Sequence, residues 1–379
     1  MMAVESRAQQ EDFSSRPRAT ATLAQRLNGK DFSIRAPQRI FEAAPWAANQ
    51  DGAGRDIASM TSPPSPIEPG TPAEHVAGPS PFGRRMHWIF VGEQGLRAGW
   101  RVLIAACLML GILDGLSAGL RHIQAIHAWA HQQTPGMFTP AQILFGEGLL
   151  AFSLLATVAI MMRIERKSFT DYGLPANAAF GMRFWQGAVF GFASLSLLLA
   201  LIAARHGYSL GTRALGLEEA ARYAAVYIVV FLLVAFFEEF CFRGYFQAAL
   251  ASGIGFWPAA VVLAALFGAG HLQNRGEAIF GAIMAGCFGL LAAFSLRRTE
   301  NLWFAIGMHA VWDWGETYFY SVPDSGIVAQ GHLFNSSFHG PAWLTGGTVG
   351  PEGSLFVFPV LALCAAAVHL LFPARQKSS

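Results

Sequence analysis

Charge is what this chain has least of: Asp, Glu, Lys and Arg make up 13% of its 379 residues, where soluble domains carry about 25%. So little charge excludes a water-clad surface over most of the length. Cysteine is scarce as well. Cys107, Cys241, Cys287 and Cys364 all lie within apolar runs, where a thiol serves as a small hydrophobe, so a disulfide framework is not expected. Basic blocks and RNA-stacking motifs are missing, and a net charge of +2 offers a polyanion nothing, which sets nucleic acid aside as a partner. Residues 1–40 hold no apolar core of the about 7–15 residues a signal peptide needs, so insertion is expected to begin with the first spanning helix.

What the chain does have is apolar sequence in long runs. Hydrophobic residues amount to 53% of it and gather in runs of about 17–22, each long enough at about 1.5 Å per residue to cross about 30 Å of hydrocarbon. Eight spans are expected, at 99–120, 141–162, 184–204, 221–243, 256–272, 277–296, 301–320 and 355–372. Backbone in lipid must satisfy its own hydrogen bonds, and these runs show neither strand-like alternation nor repeated turns. The expected fold is all-α, a polytopic membrane helical bundle of about eight transmembrane helices.

Residues 1–85 are polar and rich in proline between Pro63 and Pro81. They have too little apolar surface to offset the entropy of ordering and read as a disordered, cytoplasmic N-terminal tail. The stretch Met86–Val91, with Trp88 near Arg84 and Arg85, reads equally as an interfacial segment or a linker. The transmembrane domain then runs over 86–376. Arg163, Arg166, Lys167, Arg183, Arg243, Arg297, Arg298, Arg375 and Lys377 flank one set of span ends. Fewer, Arg121, Arg205, Arg213, Arg222 and Arg275, flank the other, so both termini are expected in the cytoplasm. Three lysines against 23 arginines point to a GC-rich genome and a bacterial inner or plasma membrane. The segment 321–354, with Gly340-Pro341 and a glycine-rich run at 346–353, is loop chemistry throughout.

Each ionisable side chain inside a span costs about 2.5–3.5 kcal/mol on insertion scales and asks for a reason. The fourth span carries Glu238, Glu239 and Arg243 among aromatic residues. Glu239 and Arg243 are one helical turn apart and can pair, while Glu238 points about 100° away, free to face a cavity. The plainer alternative is a solvated helix end with Arg243 reaching the headgroups. His271 closes the fifth span behind small residues, a position that suits an interfacial histidine as well as a catalytic one. His309 and Asp313 are again four apart on the seventh span, so the carboxylate can orient the imidazole, or the pair can serve as a polar helix contact. Together these groups hold the parts for hydrolysis: activation of water, stabilisation of an oxyanion and protonation of a leaving amine.

On these residues the chain resembles the CPBP family, which includes the CAAX prenyl endopeptidases and the Abi proteins of bacteriocin processing and self-immunity. The family pattern, Glu-Glu-x-x-x-Arg, then Phe-x-x-x-His, then His-x-x-x-Asn or Asp, is matched in order. It is carried by Glu238-Glu239 with Arg243, Phe267 with His271, and His309 with Asp313, within a motif core at about 220–320. The resemblance implies an intramembrane protease, a hydrolase of glutamate or metallo type, cleaving membrane-associated or lipidated peptides and membrane proteins in a lipid bilayer. It implies Glu238 as the base that activates water, Glu239 as its support tethered to Arg243, His271 as a partner of that water, and His309 with Asp313 facing the scissile carbonyl. Asp313 stands where Asn is common, and an ionised Asp cannot donate to an oxyanion, so it serves there either protonated or by orienting His309. Glu238, His271 and His309 also match a zinc inventory, but no His-Glu-x-x-His motif is present, and metal-free chemistry is equally compatible.

Two other readings stand beside this one. The buried charges, joined by Asp114 and Glu147 in the first two spans, can form an ion or proton path in a non-enzymatic transporter or immunity protein. Cys241 can act as a nucleophile if a histidine reaches it, although no basic residue besides Arg243 stands near it in sequence.

Overall fold

The computed structural model describes residues 90–92, 95–130, 139–274 and 279–373. The expected tail over 1–85, the start of the interfacial stretch, and Arg275, Arg375 and Lys377 lie outside the described residues. Two short strands, β1 (Val91–Gly92) and β2 (Gly95–Leu96), pair just ahead of the bundle. The helices follow in order: α1 (Ala98–Arg121), α2 (Gln124–Ala130), α3 (Pro140–Glu165) and α4 (Met182–Ala204). After β3 (Tyr208–Ser209) come α5 (Leu217–Glu239), α6 (Phe246–Ile254), α7 (Phe256–His271), α8 (Ile279–Thr299) and α9 (Leu302–Trp314). The chain ends through β4 (Ser337–Phe338), α10 (Ala342–Thr345) and α11 (Val357–Leu371). The fold is a membrane helical bundle.

Among the described residues, five helical runs are long and apolar enough to cross a membrane: α1, α3, α4, the run Leu217–Ile254 and α8. α7 and α11 are apolar but shorter, at 16 and 15 residues. Large apolar side chains on the outside, among them Leu110, Phe152, Val189, Val229 and Leu363, are exposed, as expected where the neighbour is acyl chain and not water.

Most helix ends lie within a few residues of the expected spans, because caps and breakers set them. Thr139 and Gln142 form a reciprocal capping box with Pro140 in the first turn of α3, and Asn301 accepts from Trp303 N to open α9. The fourth span differs. It was expected to end at 243, but α5 continues through a π-helical stretch, Phe240–Tyr245, into α6, so the run reaches Ile254. Arg243 is only 2% exposed and makes its contacts inside the bundle, so it interrupts neither the helix nor the apolar phase.

That extension places the site. The run turns back at Gly255, whose φ of +86° suits glycine, and α7 packs against α6. Glu238 lies 17 residues and His271 16 residues from Gly255, so at about 1.5 Å per residue both reach about 24–26 Å from it. The third arm is α9, buried at eleven of its thirteen residues and enclosed by protein. It approaches α4 until the backbones nearly touch. A Cβ on Gly187 would stand 2.0 Å from Phe304 O, and one on Gly191 2.1 Å from Met308 O. Small residues four apart permit such crossings in membranes, and here they seat the helix that carries His309.

The segment 321–354 returns to the bundle. β3 pairs with β4, and isolated bridges join Arg213 with Phe334 and Asp324 with Ile327.

Candidate active site

Glu239 is fully buried, and its Oε1 accepts from Arg243 Nη1 at 3.1 Å and from His309 Nδ1 at 2.9 Å. A carboxylate only accepts, so the His309 hydrogen sits on Nδ1. Arg243 is held further by Gly289 O, 3.4 Å from Nε, and by the Phe267 ring, whose centroid lies 4.2 Å from Cζ. A Cβ on Gly289 would fall 2.2 Å from Arg243 Nη2, so glycine is what leaves the guanidinium its place. The π-helical stretch that carries Arg243 is of a kind that recurs at functional sites.

Glu238 points elsewhere, with its side chain 22% exposed. Its Oε2 lies 3.6 Å from His309 Nε2, and Asp313 Oδ2 lies 3.4 Å from the same nitrogen. One imidazole therefore touches Glu239, Glu238 and Asp313. His271 is fixed differently: its Nδ1 lies 2.9 Å from Phe267 O. A carbonyl oxygen also only accepts, so Nδ1 carries the hydrogen and the neutral ring presents a lone pair at Nε2. The Phe267 ring sits between the two imidazoles, 4.6 Å from His271 and 6.4 Å from His309 by centroid.

Glu238, His271, His309 and Asp313 share the wall of one cavity of about 420 Å³, while Glu239 and Arg243 stand behind it. Glu147 of α3, a candidate for the ion path in the alternative reading, lines the same cavity. Its position inside a span was the available signal. The other carboxylate of that path corrects an expectation: Asp114 is not buried but 84% exposed, on the outside of α1 and 3.9 Å from Arg121. Cys241 is buried and not part of the cavity wall.

The loop segment also reaches the cavity, through Asp324, Ser325, Ile327, Ala329 and Glu352. Asp324, outside the spans, has its carboxyl held well above the usual range by burial and then by the charges of Asp313 and Glu352. As a zinc set, Glu238, His271 and His309 fit poorly. Among the described residues, the ligand atoms gathered three together within 4.8 Å belong to Glu316, Asp324 and Glu352.

An all-helical membrane bundle with carboxylates and imidazoles converging on an internal cavity defines a class of intramembrane site. Residues 220–315 match the family model described as Rce1-like, type II CAAX prenyl endopeptidase Rce1-like. Over that segment the chain is similar to the CPBP/CAAX proteases, and its long apolar helices support an integral membrane protein. No curated protein and no solved structure gives a significant match.

Proposed function

We propose that the chain is a CAAX-type intramembrane endopeptidase in which Glu238 activates water for attack on a membrane-embedded peptide bond. The observation that supports it is the single imidazole of His309 in reach of Glu238 and Asp313 on the cavity side and of Glu239 behind. Glu238 takes the proton of the attacking water. His271, with its lone pair toward the cavity, accepts a hydrogen from that water and fixes its direction of approach. His309 donates from Nε2 when protonated, first toward the developing oxyanion and then toward the leaving amine. Glu239 holds His309 in orientation, and Arg243 balances the charge of Glu239. Asp313, at 3.4 Å from Nε2, orients the imidazole in place of the donor role that an Asn would fill. Glu147 adds a second carboxylate to the same cavity wall.

The reaction so written has no metal step. Activity surviving 1,10-phenanthroline, which strips transition metals, is the expected result; loss restored by zinc would put a metal into the mechanism. The substrate class is tested by presenting the purified chain in lipid with a prenylated peptide ending in a CAAX tripeptide. Release of the tripeptide by the wild type and not by Glu238→Gln supports the reading. Comparison of membrane proteomes with and without Glu238→Gln then identifies the precursor that accumulates. Intact substrate in both forms, with proton or solute movement instead, would replace it by the transport reading.

A further inference from the structure

Three carboxylates with no part in that reaction converge at the cavity, Asp324 and Glu352 in its wall and Glu316 outside it. Glu316 lies in the π-helical stretch Gly315–Phe319 that ends α9, Asp324 in the loop that follows, and Glu352 in the 3₁₀ turn Pro351–Gly353 ahead of α11. One oxygen from each lies within 4.8 Å of the other two. Oxygens on opposite sides of a calcium ion bound at about 2.4 Å are themselves about 4.8 Å apart, so the three fit within one coordination sphere. Independently, Glu316 is fully buried, and neither carboxylate oxygen has a partner at hydrogen-bond geometry, the Trp312 indole being its polar neighbour. A buried carboxylate with no partner is costly to keep. Among the described residues, none of the three pairs with a Lys, Arg or His.

The neighbours orient the other two acids. Thr317 Oγ1 donates to Asp324 Oδ2 at 3.2 Å, and Ser325 Oγ donates to Glu352 Oε2 at 2.7 Å. We propose that Glu316, Asp324 and Glu352 bind a hard divalent cation of the calcium class, which clips the 321–354 segment to the end of α9. The donor set is oxygen alone, which suits calcium, whereas structural zinc takes sulfur and nitrogen. The cation neutralises acids that repel one another and gives Glu316 the partner it lacks. The inference is independent of the hydrolytic mechanism, since none of the three groups takes part in it.

The experiment uses the full chain in detergent, washed with chelator and then titrated with CaCl₂ or, in parallel, MgCl₂. Calcium is expected to raise Tm by several degrees and to slow proteolysis within 321–354, with magnesium weaker. Glu316→Gln and, separately, the half-buried Glu352→Gln are expected to abolish both effects, while Glu238→Gln keeps them. Two variants guard against misfolding of either one. No calcium effect on the wild type, an effect undiminished in both Gln variants, or a Tm raised by Glu316→Gln with no response to calcium would each overturn the site. The last result would mean that a proton, not a metal, compensates the cluster.

Discussion

Among the described residues, two arginine–glutamate pairs are buried in the bundle, and one of them borders the proposed catalytic site. Arg101 of α1 binds Glu165 at the end of α3, and both carboxylate oxygens are taken: Oε1 by Tyr245 at 2.7 Å, Oε2 by Arg101 and by Tyr172 at 3.2 Å. Arg101 also donates to Ser252 at 2.9 Å. This pair borders the larger cavity, about 930 Å³, with Arg97, Arg166 and Lys167 in its wall. The Glu239–Arg243 pair borders a smaller one, but beside it Glu238 keeps an oxygen toward the cavity and His309 a nitrogen between two carboxylates. Cavity size does not separate structure from function here. Unspent hydrogen-bonding capacity does.

The sharpest break of this comparison is in rate. Glu238→Gln is expected to lower cleavage about 10²–10⁴-fold, the usual loss on removing a general base, with little change in Tm because Glu238 is partly open. Arg101→Met is its mirror. Removing one partner of a buried ion pair costs about 3–5 kcal/mol, so thermal unfolding is expected to shift strongly while the rate per folded molecule stays near wild type. A rate loss for Arg101→Met beyond its loss of folded protein would erase the distinction. A smaller effect is expected from Gly289→Ala, whose added methyl pushes Arg243 from Glu239: overpacking of this kind costs about 1–3 kcal/mol, and it should lower kcat more than it raises KM. Smallest of all, Cys241→Ala is expected to leave cleavage near the wild-type rate; a severe loss with normal folding would revive the thiol as nucleophile.

The sequence was most informative where local geometry decides. Spacing of four on a helix became contact at Glu239–Arg243 and at His309–Asp313, and the apolar runs became helices at nearly the expected bounds. The expected end of the fourth span at 243, and with it the plainer alternative of a solvated helix end, does not hold, because the helical run continues to Ile254. A buried guanidinium between Glu239, Gly289 O and the Phe267 ring has no need of the headgroups. The Glu239–His309 bond, 70 residues apart, depends on how α5 and α9 pack and has no local signature. Glu316 is a different miss. It falls within the expected seventh span, and the rule that drew attention to Glu238 applied to it equally. Its partners, Asp324 and Glu352, lie on a segment whose composition announces only turns, so their convergence is visible in three dimensions alone.

The hairpin around Gly255 works as a ruler with two graduated arms. One residue added to either arm would slide its functional group about 1.5 Å and swing it by about 100°, carrying Glu238 or His271 out of register with the other. Length changes are therefore forbidden between 238 and 271 unless both arms change together. The connections at 205–216 and 321–354 carry no such constraint on Glu238 or His271, so this part of the chain tolerates substitution far better than insertion.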